Sequence, residues 1–500
     1  MMQPGQHLTA TELIEVVVDA GSFTRWDSPA VNDGADAKYS DQLLRARQKS
    51  GEDESVITGA GLIRGRRVAI IVSEFTFLGG SIGHAAADRI VSAVERATRD
   101  RLPLLAGPAS GGTRMQEGTL AFLSMVKITA AIRAHRKAGL PYLVYLRHPT
   151  TGGVMASWGS LGHVTIAEPG ALLGFLGPRV YEALYRSPFP DNVQVAENLF
   201  ARGLIDAVVP PNQLPAIVER ALGILAQTPP AKVNRPASLS TTPSDATAWA
   251  SIEISRNPRR PSLRQLLSYG AQDVLPLSGT GQGEKDPGLL LAMARFGQAS
   301  CIILGHNRLS SPEVAMGPAS LREARRGMLL AEELKLPLVT VIDTAGAALS
   351  KEAEEGGLAG EIARSLYDLI GLGTPTVSVL LGQGGGGGAL ALVPADRTIA
   401  AQNAWLSPLP PEGASAIVHR STAFAPAMAQ KQGVNVAALY GNGIVDHIVD
   451  ERPDAAAEQR AFCRRMGQAI EYELSSLSAI AVDELLPSRM VKYQRLGSAR

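Results

Sequence analysis

Residues 83–105 read GHAAADRIVSAVERATRDRLPLL, and residues 317–339 read GPASLREARRGMLLAEELKLPLV. Each opens on a glycine, runs through an amphipathic stretch of helical period, and turns at Leu-Pro into an apolar, strand-like run. A second Pro-led apolar run follows in each: PYLVYL from Pro141 and PTVSVLL from Pro375. Gly83 and Gly317, Pro103 and Pro337, and Pro141 and Pro375 are three pairs with one and the same separation along the chain. A constant offset at three landmarks marks an internal duplication. Strand-like and helix-like segments alternate within each half, which predicts an α/β fold with helices layered on mostly parallel strands.

Residues 226–245 are rich in Pro, Ser and Thr and lack any regular period, so they read as a linker. The expected domains are therefore residues 1–225 and 246–500. The chain is 45% hydrophobic and 19% charged, as globular proteins are. Its 48 basic and 47 acidic residues leave a net charge of +1, which offers no basic field to nucleic acid. The N-terminal stretch has no basic segment followed by an apolar one, and no apolar run approaches ~20 residues. Neither a signal peptide nor a membrane span is expected. Cys301 and Cys463 are the only cysteines. That argues against a disulfide framework or a cysteine-rich zinc site and points to the cytoplasm.

The candidate chemistry lies in glycine turns that follow the apolar runs. After PYLVYL comes HPTTGGVMASWGSLGH, with Gly152 and Gly153 at the turn. After PTVSVLL comes GQGGGGGALAL, with Gly384 to Gly388 in succession. Glycine lets backbone N–H groups face a ligand without side-chain obstruction. Such donors stabilise an oxygen that gains negative charge in a reaction. Two further small-residue turns end apolar runs: SGGTRMQEG, residues 110–118, and DTAGAALS, residues 343–350. Strand C-termini of this kind are where α/β proteins bind ligands. Arg114 is read either as a ligand for phosphate or carboxylate or as half of an internal ion pair, with Glu117 the nearest partner. His148 and His163 flank the first turn and read as structural. No nucleophile elbow, phosphate loop or HExxH motif is present. Oxyanion turns without a nucleophile or metal suit enolate chemistry.

The ordered motifs resemble a known family. FTFLGGSIG, SGGTRMQEG, LPYLVYLRHPTTGGVMAS and IAEPGALLGFLGPRV resemble the beta-type subunit of the bacterial acetyl-CoA carboxylase carboxyltransferase. RNPRRPSLRQLL, IDTAGA, EEGGLAGEIA, GQGGGGGALAL and LSPLPPEGASAIV resemble its alpha-type subunit. The resemblance covers most of the chain and implies the two subunits fused in that order. It implies two crotonase-like β-β-α superhelix domains in tandem. It implies carboxybiotin on a separate carrier protein as carboxyl donor and a short acyl-CoA, acetyl-CoA first, as acceptor through its thioester enolate. By motif, Gly152 and Gly153 match the hole for the acyl-CoA carbonyl, and Gly387 and Gly388 the hole for biotin. Gly111, Gly112, Thr113, Arg114, Gly346 and Gly386 match the surrounding ligand turns. No metal is implied.

Two departures stand out. The first half has no cysteine, so the four-cysteine zinc ribbon of many beta subunits is absent. The family's DTPGA turn is DTAGA here, with Ala345 in place of proline. The chain shows no biotin attachment motif and no ATP-grasp pattern, so the resemblance implies a biotin carboxylase and a biotin carboxyl carrier protein as partners. It also implies a homodimer or larger homo-oligomer with sites between beta-type and alpha-type halves. Two other activities fit the same features: decarboxylation of a malonyl thioester, and non-catalytic assembly within a carboxylase complex.

Overall fold

A computed structural model describes residues 7–31, 35–226, 233–308 and 315–496. The chain divides into two compact units, Met1–Gly223 with Gly281–Gly283, and Ile224–Thr280 with Glu284–Arg500.

In the first unit, strands Val56–Ile63 and Arg66–Ser73 form an antiparallel hairpin, with Thr24–Arg25 antiparallel on its outer edge. Four parallel strands then continue the sheet: Leu104–Gly107, Tyr142–Leu146, Val164–Ala167 and Ala207–Val208. Leu104–Gly107 and Tyr142–Leu146 are buried along their whole length, as parallel strands covered on both faces must be. Helix His84–Arg99 turns Ala86, Ile90, Val94 and Ala97 inward. Arg96 and Arg99 occupy its last turn, where cations favour the helix dipole. Trp158 is fully buried, and the Tyr142 hydroxyl donates to its carbonyl at 2.7 Å.

The second unit repeats this plan. The hairpin is Leu289–Phe296 with Ala299–His306, edged by antiparallel Asp273–Leu277. The parallel strands are Leu338–Thr344, Thr376–Gly385, Arg397–Ala401 and His447–Val449. The registers coincide: Leu104 pairs Tyr142 in one sheet and Leu338 pairs Thr376 in the other, at the offset already seen between the prolines. The N-caps Gly83 and Gly317 have the same backbone, with φ of −99° in each. The α/β reading and the duplication thus appear as geometry.

The stretch expected as a linker is partly ordered into the sheet. Leu239 and Ser240 pair antiparallel with Val449 and Ile448. Residues 227–232 lie outside the described residues. Cys301 and Cys463 are buried and unpaired. Among the described residues no helix is long and apolar enough to cross a membrane.

Candidate functional site: two equivalent glycine turns

Each unit brings two loops together at the ends of its parallel strands. In the first, the Ser110–Thr113 loop packs on the Thr150–Val154 turn. A Cβ on Gly152 would lie 3.1 Å from the Gly111 carbonyl oxygen, and one on Gly112 would lie 3.2 Å from the Gly153 nitrogen. Contacts this tight are uncommon for a Cβ, and both residues have positive φ, so glycine suits both positions. The Ser110 hydroxyl accepts from the Gly112 amide at 3.0 Å, which fixes the loop as a side-chain-closed turn. The Ser110 amide donates to Pro149 and the Thr151 amide to Ser110, at 2.7 and 2.8 Å, which sews the loops together.

The second unit builds the same device from different residues. The Thr344 hydroxyl accepts from the Gly346 amide at 3.1 Å and donates to its carbonyl at 2.7 Å. Thr344, Ala345, Gly346 and Ala347 stand where Ser110, Gly111, Gly112 and Thr113 stand. The bridge between Ile82 and Thr113 recurs between Met316 and Ala347. A Cβ on Gly388 would meet the Ala347 nitrogen at 3.3 Å, so these loops also pack backbone to backbone. Ala345 is exposed, and its carbonyl oxygen would lie 2.2 Å from a Cβ on Gly385. The glycine at 385 is what admits this turn.

The five-glycine run acquires its register from this match. Gly152 has φ 60° and Gly386 has φ 65°, and each begins a short helical turn. Gly386 is therefore the counterpart of Gly152, Gly387 of Gly153, and Gly388 of Val154. The Gly152 amide is itself engaged, donating to the Phe175 carbonyl at 2.9 Å. Gly152 thus supplies a left-handed conformation. The next two amides, of Gly153 and Val154, open a helical turn, where no preceding helical carbonyl accepts them. Their counterparts are the amides of Gly387 and Gly388. In this register the pair Gly387 and Gly388 corresponds to Gly153 and Val154, and Gly386 to Gly152. Gly152, Gly153, Gly386 and Gly387 are half-buried, while Gly388 is buried.

Arg114 has a different job from a ligand contact. It is fully buried, and its guanidinium pairs with the fully buried Glu54 through both terminal nitrogens, one at 2.9 Å. It also reaches Glu117 at 3.3 Å and the Ser81 carbonyl at 2.8 Å. Every guanidinium nitrogen is engaged within the fold. Of the two readings of this residue the ion pair holds, with Glu54 as principal partner. Thr113 is half-buried beside Gly153, its hydroxyl 3.1 Å from where a Cβ of Gly153 would stand. Gly111 is exposed at the loop tip and Gly346 half-buried.

His148 and His163 are structural. Nδ1 of His163 accepts from the Tyr142 amide at 3.0 Å, and Nδ1 of His148 accepts from the Leu172 amide at 3.1 Å. Among the described residues no cluster of three or more His, Cys, Asp or Glu could hold a metal ion. Sequence reasoning passed over Ser110 and Thr344. The signal was a hydroxyl residue two positions before a glycine at a strand end, S-x-G and T-x-G.

A family model for the carboxyl transferase domain matches residues 3–482. The chain is 56% identical over 497 residues, 99% of both chains, to a Mycobacterium tuberculosis protein named as a probable biotin-dependent acyl-coenzyme A carboxylase beta3 subunit. It is 34% identical over 539 residues to the acetyl-coenzyme A carboxylase carboxyl transferase subunits beta/alpha of Parafrankia sp., covering 98% of this chain and 86% of that one. The solved structure of transcarboxylase 12S, described as a hexamer assembly with methylmalonyl-coenzyme A bound, matches with a TM-score of 0.73. Its identity is 22%, over 95% of this chain and 91% of that one. That likeness concerns the fold, which is two crotonase-like domains in tandem.

Proposed function

The chain belongs to the carboxyl transferase family, and from that premise we propose that it moves a carboxyl group from carrier-borne carboxybiotin to the α-carbon of a short acyl-CoA. Acetyl-CoA is the first candidate. The observation that carries this reading is the pair of equivalent turns, each presenting two successive amides. A reaction through a thioester enolate develops negative charge on more than one oxygen, and each turn is a set of fixed donors for one of them.

The residues fit both groups. The turns Thr150–Val154 and Gly384–Gly388 themselves contain only neutral residues. The Gly153 and Val154 amides would hold the thioester oxygen, and the Gly387 and Gly388 amides the ureido oxygen of biotin. Carboxybiotin supplies the carboxyl group and a nitrogen basic enough to take the α-proton. Loss of one such donor costs about 3 kcal/mol of transition-state stabilisation.

A biotin carboxylase and a biotin carboxyl carrier protein would be the partners. Met115, Leu120, Phe122, Leu123 and Val126 form an exposed apolar strip beside the first loop. Such a strip supports burial against a second copy, hence a homodimer or larger homo-oligomer. Two buried free thiols are in keeping with the cytoplasm.

The test mixes the full chain with carboxylated biotin carrier and offers acetyl-CoA, then propionyl-CoA. The expected result is a carboxylated acyl-CoA. Decarboxylation of a malonyl thioester without transfer overturns the reading in favour of a decarboxylase. Neither activity, with stable binding to a biotin carboxylase, overturns it in favour of an assembly subunit.

A further inference from the structure

The two glycine turns are equivalent, but they are not held in the same way. Along the second sheet, Ile342 pairs Leu380 and Thr344 pairs Gly384, with the register broken between them. One residue on the first strand, Asp343, therefore faces three on the second, Leu381, Gly382 and Gln383. A ladder interrupted in this way leaves backbone groups that need other partners.

Asp343 supplies one. Its side chain is buried, and Oδ1 accepts from the Gln383 amide at 3.1 Å. Gly382 makes room for it, since a Cβ there would lie 2.6 Å from the same oxygen. The other oxygen, Oδ2, lies 3.0 Å from Nε of Arg308. Arg308 is moored in turn, donating to the carbonyls of Arg260 and Asn257. Burial pushes the Asp343 carboxyl up, and the Arg308 guanidinium opposes that shift. A charge placed at this depth needs such compensation.

The first unit shows what the arrangement is for. The residue in the place of Asp343 is Ala109, and the residue in the place of Gln383 is Pro149. Proline has no backbone N–H and asks for no acceptor. Where the turn begins with a proline, alanine stands opposite. Where it begins with a glutamine whose amide must be bonded, an aspartate and its arginine stand opposite. The five glycines that follow Gln383 have no side chains of their own to anchor them, so the main chain holds them: the pairing of Thr344 with Gly384, the strand Trp405–Ser407 alongside Gln383–Gly385, and the tie from Asp343 at the entry point.

We propose that Asp343, held by Arg308, is a positioning residue for the second turn: it fixes the main chain at Gln383 and thereby sets where the Gly387 and Gly388 amides point. That these amides serve biotin rests on the function proposed above. The fixation of the turn does not.

The experiment compares Asp343→Ala, Asp343→Asn and wild type as full chains. Two quantities are measured: amide hydrogen exchange, and carboxyl transfer from malonyl-CoA or methylmalonyl-CoA to free biotin. Asp343→Ala is expected to speed exchange across 383–388 and leave 150–154 unchanged. It lowers kcat/KM for biotin by roughly 100-fold, the effect of a misplaced group, with a raised KM for biotin. KM for the acyl-CoA moves by less than about twofold, because the first turn is untouched. Asparagine keeps an acceptor but not the charge, and falls between. A mere loss of folded protein would lower kcat without moving either KM. Unchanged exchange at 383–388 and an unchanged biotin KM in Asp343→Ala would overturn the proposal. If that variant does not fold, the same two readouts in Asp343→Asn decide it. A wild type that transfers to neither free nor carrier-borne biotin refutes the function, while the exchange result still judges the tie.

Discussion

Gly152 and Gly386 occupy one position of a duplicated fold, with φ of 60° and 65°. Their surroundings differ. A Cβ on Gly152 would crowd the Gly111 carbonyl at 3.1 Å and the Gly112 Cα at 3.3 Å. One on Gly386 would have 3.5 Å to the nearest atom, the Pro408 carbonyl oxygen. Gly386→Ala therefore meets the conformational cost alone, about 1–2 kcal/mol. Gly152→Ala meets that cost and a steric one. Transfer assays and thermal melts on the two variants should rank Gly152→Ala as the more damaging in both.

Gly153→Val and Gly387→Val place a branched side chain at the mouth of each turn. Each is expected to lower the transfer rate by about 100-fold or more, with the fold retained. The obstacle at 387 is the mobile end of Ile362, 2.7 Å from the new Cβ, so the chain has some freedom to adjust. Gly388→Ala is expected to cost much less, because its counterpart in the first unit is already a valine. Equal losses at 387 and 388 would contradict the register assigned to the run.

Arg114 and Glu54 form a fully buried pair, and removing one partner leaves the other charged and unpaired. Arg114→Ala is expected to destabilise the first unit by about 3–5 kcal/mol. Acyl-CoA binding by the fraction that remains folded should be unchanged, since the side chain never reaches the turn. Chemical denaturation and equilibrium binding measure the two separately. Weakened binding at full stability would return Arg114 to the ligand site.

Two histidines set a pH dependence. His135 in the first unit and His306 in the second are buried, and burial pulls both down to about 4. In the unfolded chain each protonates near about 6.5. Between these values the unfolded state binds protons that the folded state does not, so stability falls as pH drops. Above about 6.5 both states are neutral and neither histidine contributes. The loss approaches something on the order of 3 kcal/mol per histidine near pH 4. Melts from pH 7.5 to 4.5 should show a shallower decline in Tm for His135→Gln and for His306→Gln than for wild type. Identical slopes would refute the assignment.

The duplication was legible because glycine and proline are backbone signals. A turn or strand start must carry them in the chain itself, so the offset survives as a pattern. The glycine turns were legible for the same reason. The register within Gly384–Gly388 carries no internal mark, since the residues are identical, but the offset of the three landmark pairs places Gly152 on Gly386, and the matching φ of the two glycines agrees. The partner of Arg114 was also out of reach. Glu54 is distant in the chain, before the duplicated helix begins, and the motif offered the nearer Glu117, which is a weaker contact. The strand at Leu239–Ser240 was hidden because so short a segment at a sheet edge has no period to read. The aspartate opposite Gln383 was visible as a residue, but its role depends on a break in pairing that no periodicity records.

The two cysteines have a practical consequence. Cys301 lies within strand Ala299–His306 and Cys463 within helix Gln459–Ser478, and neither is exposed. Burial pushes both thiols up, that of Cys463 to about 12. An alkylating reagent added to the native protein therefore finds no thiolate to attack. Both residues belong to the second unit, and the first has none. Labelling kinetics thus time the opening of one half of the molecule against a silent other half, with no engineered probe.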